Sequence, residues 1–333
     1  MNSRRELPEL NHRTSFVMGE EEGNPEAQFR LAMCHAQGNG VESDHIKALH
    51  CLELAAESDH ADALFQLALV RSEGPASSAP DALRLLQRSA ERGCPGAQNM
   101  LGLWHELGRG GLAVDYKRAV ELYQEAERQG HAGAMLNLGL MCEKGLGIPP
   151  NQEQAVRLYT SAASSGNAGA VKELGRCYQL GLAVEKDEIK AVCMYRKGAE
   201  LGHAPSLWCL AQCYASGIGV AADRQKVLDC HRRAAALGYA PSLYAHGCLL
   251  LDTDKAAAVD CFQRAAAAMH VESIYALGQC AEQATERHER ETVETARKFY
   301  LQAASHGHQP SQLRVAQLDQ VRTAMADAEM VRN

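Results

Sequence analysis

Aromatic residues are scarce in this chain: two tryptophans, five phenylalanines and ten tyrosines make up 5% of its 333 residues. With so few large rings, the position of each is informative. Basic residues are also in deficit, with 34 Lys and Arg against 41 Asp and Glu, a net charge of −7. Adjacent basic residues such as Arg4–Arg5 and Arg232–Arg233 come no more than two at a time. A nucleic-acid partner, which needs a basic face for its phosphates, is therefore not expected. No run approaches a membrane span, the segment MNSRRELPELNHRTSF lacks the apolar centre of a secretory signal, and no Asn-x-Ser/Thr sequon occurs. These absences predict a cytoplasmic protein without membrane insertion, its twelve cysteines reduced despite their even number.

What the chain has is a period. Gly93, Gly130, Gly166, Gly202 and Gly238 recur every 36 or 37 residues, each after a helical stretch ending in small residues. A period of that length marks a stack of helical hairpins, none of which buries its own apolar face. Eight units run from about residue 24 to 308. In the clearest, Ala170, Leu174 and Tyr178 fall at i, i+4 and i+8, the spacing of a helix face. Gly102, Gly139, Gly175, Gly247 and Gly278 stand mid-helix, where glycine costs about 1 kcal/mol relative to alanine, and Ala32, Ala68 and Ala211 fill the same slot elsewhere. That cost predicts a neighbouring helix crossing close to the backbone. Glycine-rich links follow (Gly38–Gly40, Gly145–Gly147, Gly217–Gly219), then Asp44, Asp115, Asn151, Asp187 or Asp223 to cap a second helix. The second helix carries a bulky residue: Leu52, Tyr159, Tyr195, Phe262 or Tyr300. The fold class expected is all-α, an α-solenoid of antiparallel helix pairs.

The phrase Ala-x-x-x-Leu-Gly-x-x-Tyr-x-x-Gly-x-Gly-Val, then Asp-x-x-Lys-Ala, then Tyr-x-x-Ala-Ala-x-x-Gly resembles the Sel-1-like repeat, a relative of the tetratricopeptide repeat. The resemblance covers residues 24–308. It implies a right-handed superhelix with a concave face, used as a scaffold or adaptor. Three links depart from the pattern: Gly74–Pro80, Cys248–Asp254 and the charged run Glu282–Glu291. Residues 1–23 are expected to be a disordered tail, and 309–333 a C-terminal capping helix.

Sites of chemistry are few. Cys209, Cys213, Cys230 and His231 all lie in the sixth repeat, and a metal-dependent or enzymatic module built on them is one reading. Against it, the slot of Cys213 holds Cys34, Cys177 and Cys280, but also Trp104 and Leu249, which makes it a core slot. Some secreted members of the family bridge cysteines within repeats, which would pair Cys34/Cys51, Cys177/Cys193 and Cys213/Cys230 and suit a lumenal quality-control adaptor. His60, His131, His203, His270 and His308 share one slot, where imidazole is expected to meet free carbonyls at a helix C-terminus. No nucleophile triad, phosphate loop or HExxH pattern occurs, so no enzyme and no cofactor is expected.

A stripe of larger side chains precedes each Leu-Gly step by two residues: Phe29, Phe65, Asn99, Leu136, Lys172, Trp208, Tyr244 and Tyr275. By analogy with tetratricopeptide geometry this slot borders the concave groove. Trp208, Tyr244 and Tyr275 are candidate anchors for a protein or peptide partner, with Lys172, Arg176, Gln179 and Gln212 as polar contacts. Packing between repeats is the competing role for the same rings. The function expected is a non-enzymatic scaffold that binds a peptide or protein segment.

Overall fold

The computed structural model describes residues 23–74, 79–283 and 290–332, which form seventeen helices and no strand. The chain divides into two units, Met1–Ala170 and Val171–Asn333. The first contains α1 (Pro25–Gln37), α2 (His45–Glu57), α3 (Ala61–Ser72), α4 (Ala79–Glu91) and α5 (Pro95–Leu107). It continues with α6 (Tyr116–Arg128), α7 (Ala132–Lys144) and α8 (Gln152–Ser164). Helix α9 (Ala168–Leu180) carries the boundary. The second unit then holds α10 (Glu188–Glu200), α11 (Ala204–Ser216), α12 (Arg224–Ala236) and α13 (Ala240–Leu250). It closes with α14 (Lys255–Ala267), α15 (Val271–Glu282), α16 (Arg290–Ser305) and α17 (Gln309–Arg332). Within each unit every helix packs on the next, the pattern of an α-solenoid of helix pairs. Residues 1–22, and most of the irregular links 74–80 and 282–291, lie outside the described residues.

The second helices begin as the sequence reading expects. Asn151 Oδ1 accepts the Gln154 amide at 2.9 Å and Asp187 Oδ1 the Lys190 amide at 2.8 Å, with Asp44, Asp115 and Asp223 doing likewise. Each satisfies amides that have no partner within the helix. The shortened seventh link keeps this device. Asp254 donates its own amide to Leu250 O at 2.7 Å and caps α14 through the Ala257 amide. The periodic glycine also acts as expected, closing the turn after the second helix in the left-handed region, at φ 74° for Gly202 and 85° for Gly93. In the first and seventh repeats Asp59 and Met269 adopt the same conformation, at φ 58° and 59°, without being glycine.

The neighbouring helix does come close to the mid-helix glycine, and it does so through a ring. A Cβ on Gly102, Gly139, Gly175, Gly247 or Gly278 would run into Tyr123, Tyr159, Tyr195, Phe262 or Tyr300, the bulky residue of that repeat's second helix. Where the small slot is alanine, the facing slot is Leu52, Leu86 or His231. The two positions are matched in size eight times over. The tyrosines add a hydrogen bond: their hydroxyls donate to Glu106 (2.8 Å), Glu143 (2.9 Å), Gln179 (2.7 Å) and Glu282 (2.9 Å), one turn beyond the glycine. Where the ring is Phe262, that acceptor position is Leu251. Burial and the acidic partner together push the Tyr123 and Tyr300 phenols well above their ordinary range.

The histidine slot also differs from expectation. These residues stand at the start of the following first helix, where His60, His131 and His308 accept an amide of its first turn, and among the described residues none bonds a carbonyl at the end of the preceding helix. His131 Nδ1 accepts the Ala134 amide at 3.1 Å and His60 Nδ1 the Ala63 amide at 3.3 Å. His203, His270 and His308 place Nδ1 within 3.0 Å of the hydroxyls of Ser206, Ser273 and Ser311. The turn glycine reverses the chain within two residues, so the slot belongs to the next helix.

Candidate interaction surface

In the C-terminal unit the candidate residues lie on the first helices α9, α11, α13 and α15. Trp208, Tyr244 and Tyr275 are half-buried at one register of consecutive first helices. Each ring reaches back to its own repeat's second helix and forward to the first-helix cap of the next repeat. Trp208 lies 5.1 Å from His231 and 6.3 Å from Tyr239. Tyr244 lies 5.9 Å from Phe262 and 5.3 Å from His270, and Tyr275 5.3 Å from Tyr300 and 4.9 Å from His308. Among the described residues no two of the three are in ring contact with each other. In the N-terminal unit the same slot makes the same joint: Phe29 stacks on His60 at 4.9 Å, Phe65 packs on Gly96 and Leu136 on Gly169. One part of every such ring is therefore committed to packing between repeats, and the remainder is open. Burial pushes the Tyr244 phenol up to about 12, so it stays a neutral donor throughout the physiological range.

The polar candidates separate into three situations. Lys172 and Arg176 share one carboxylate, Glu173, at 2.5 and 2.8 Å. Burial would raise the Glu173 carboxyl, but its bonds to Lys172 and Arg176 outweigh this and hold it below the ordinary value. The trio leaves one net positive charge on α9. Gln179 is engaged in the ring lock with Tyr195. Gln212 is exposed. Glu173 escaped the sequence reading, although its position was legible, because the corresponding residues are Asn137 and Cys209 and a carboxylate there is unusual in this chain.

The sixth-repeat cysteines do not make a centre. Cys213 and Cys230 are buried core residues and Cys209 is half-buried. Among the described residues no three His, Cys, Asp or Glu side chains converge as a metal site. Burial raises the Cys213 thiol to about 11, which makes it a poor thiolate. No disulfide is formed, so the pairs Cys34/Cys51, Cys177/Cys193 and Cys213/Cys230 of the secreted-family alternative are not bridged. His231 occupies the ring slot, buried against Trp208 with Nδ1 3.4 Å from Ser242 Oγ. No helix among the described residues is long and apolar enough to cross a membrane.

A second feature was not foreseen. Between α15 and α17 lies a groove of about 470 Å³, lined by Tyr275, Gln279, Glu282, Leu313, Arg314 and Gln317 among others. His308, just before α17, corresponds to His270, just before α15, which puts Leu313 at the next occurrence of the Tyr275 slot. There Leu313 is 65% exposed. Extending the register past His308 would have found it.

Comparison with known proteins agrees with this architecture. A Sel1 repeat from Oxalobacter formigenes is 28% identical over 67% of this chain and 92% of its own, with a TM-score of 0.60. The antigen c5321 of uropathogenic Escherichia coli, described as protective and as displaying an SLR fold, is 25% identical over 90% of this chain, with a TM-score of 0.58. This chain spans 65% of that antigen's length. No curated protein matches the chain. The Sel1 repeat model matches eight times, at residues 25–60, 61–94, 95–131, 132–167, 169–203, 204–239, 240–268 and 271–308. Repeats of this kind generally serve protein interaction, and with eight of them in succession the chain belongs to the Sel1 repeat family.

Proposed function

We propose that this protein is a non-enzymatic scaffold that holds a protein or peptide segment against the first helices of its C-terminal unit. The observation that carries this is the row of Trp208, Tyr244 and Tyr275, whose rings are anchored on one side and open on the other. Rings held in this way offer contact area at little entropic cost on binding. Lys172 and Arg176, with their shared net positive charge, and the exposed Gln212 supply the polar rim. Helix α17 serves as the C-terminal cap: Leu318 is buried, Arg297 holds Asp319 at 2.6 Å, and Gln312 and Gln320 are exposed. Cysteines that form no disulfide suit a cytoplasmic setting.

A photo-crosslinking residue at Gln212, with Arg196 on α10 as the exposed control, tests the reading in native extract. A discrete protein adduct at position 212 and none at 196 is the expected result. Equal labelling at both positions, or at neither, would count against the first-helix face as the binding surface.

A further inference from the structure

We propose that the groove between α15 and α17 is a seat for a lysine or arginine side chain of the partner; the proposal rests on the scaffold reading, since a partner chain must carry the cation. The reasoning starts from Glu282. Its Oε2 accepts the Tyr300 hydroxyl at 2.9 Å and the Arg314 Nε and Nη2 at 3.1 and 2.9 Å. Its Oε1 is buried and meets no donor among the described residues. A buried carboxylate oxygen left in that state carries a penalty that one donor would remove.

Other carboxylates of this chain show what completes such a group. Asp59 holds Arg88 and Arg92, Glu173 holds Lys172 and Arg176, and Asp319 holds Arg297 and Arg322. Among the described residues Glu282 has Arg314 as its one cation, with both guanidinium contacts on one oxygen. A second cation on Oε1 would give it one cation on each oxygen, as at Asp59 and Glu173.

The walls suit a cation on a flexible apolar stem. Leu313 is exposed beside the groove and can cover methylene groups, while the half-exposed ring of Tyr275 offers a π face. The Gln279 side chain adds an amide oxygen as acceptor. Gln317 Oε1 is taken by Arg314 Nη1 at 2.8 Å, which holds Arg314 on its own carboxylate oxygen. The chain's net charge of −7 favours the approach of a basic segment.

The test is selection of a phage-displayed random-peptide library on the intact chain, followed by affinity measurement on two variants. Glu282→Gln removes the charge yet keeps an acceptor for Tyr300, because Gln179 accepts the Tyr195 hydroxyl at the same slot of the fifth repeat. Gln279→Lys puts a competing cation in the groove without touching the ring lock. The selected peptides are expected to contain Lys or Arg, to weaken about tenfold or more on either variant, and to weaken equally when that residue becomes Met. Circular dichroism should show both variants fully helical. Peptides lacking a basic residue, or bound equally by Glu282→Gln, would overturn the seat. If binding instead depends on Gln212 and is indifferent to residues 279 and 282, the seat fails and the scaffold reading survives. Enrichment of no peptide at all counts against both.

Discussion

The ring of Tyr159 occupies the space a side chain on Gly139 would need, with Cε1 2.5 Å from the position of the absent Cβ. The same interlock joins Gly175 to Tyr195, where the ring lies 2.6 Å from that position. Size at one helix position is thus set by size on its partner helix.

Gly175→Ala should destabilise the protein by about 1–3 kcal/mol through overpacking, less the roughly 1 kcal/mol that alanine returns in helix propensity. Tyr195→Leu alone should also destabilise, by leaving a cavity. The double variant recreates the Ala68/Leu86 pairing of the second repeat. Its loss should therefore be smaller than the sum of the singles by at least about 0.5 kcal/mol in urea denaturation. Additive losses would show that the two positions are not matched.

The hydroxyl part of the lock predicts opposite behaviour at two similar sites. Tyr123→Phe removes the bond to Glu106 and should cost about 1 kcal/mol. Phe262→Tyr should bring no gain and a loss of about 1 kcal/mol, since the new hydroxyl would face Leu251. Chemical denaturation of the two variants in parallel decides the matter.

Left-handed backbone at a residue with a side chain leaves room for improvement. Met269→Gly should raise stability by about 0.5–1 kcal/mol, the relief at φ 59° exceeding the extra freedom glycine has when unfolded. Asp59→Gly should not, because it also releases Arg88 and Arg92. Thermal midpoints of the two variants should move in different directions.

The histidine caps make stability depend on pH in a fixed direction. Burial lowers the pKa of His131, His203 and His270 below the ordinary 6.5. The unfolded chain therefore takes up protons at these positions before the folded chain does, and stability falls as pH drops through 6.5 toward the folded values. Protonation also occupies the Nδ1 that accepts the Ala134 amide. In the triple variant His131→Asn, His203→Asn, His270→Asn each asparagine should cap its helix as Asn167 does through the Ala170 amide at 2.9 Å, keeping the bond His131 makes. Its thermal midpoint should vary less between pH 7.5 and 5.5 than that of the parent. An unchanged slope would remove these residues from the account.

The features legible in the sequence were those whose partners lie a few residues away. Asp187 reaches an amide three residues on, and Gly202 needs only its own φ. The small slot at Gly139 was visible too, as a cost without an explanation. Its explanation was not, because Tyr159 lies on another helix and only the stacked pair shows that a ring fills the gap. The histidines were misassigned for a related reason: a slot between two helices can serve either, and the direction of the chain after the turn decides which. For the interaction surface, the register of Trp208, Tyr244 and Tyr275 could be read from the period. Their division between packing and exposure depends on the caps of the following repeats.

By itself the sequence determined the repeat, its eight units, the helix caps and the places where small residues are required, because periodicity and local hydrogen bonding act over short separations. Only the tertiary structure decided which ring lies over which glycine, that Lys172 and Arg176 share Glu173, and that Glu282 and Arg314, 32 residues apart, close one end of a groove with an oxygen left over. Those outcomes depend on the stacking of one helix on another, where side chains distant in sequence compete for the same volume and the same charge.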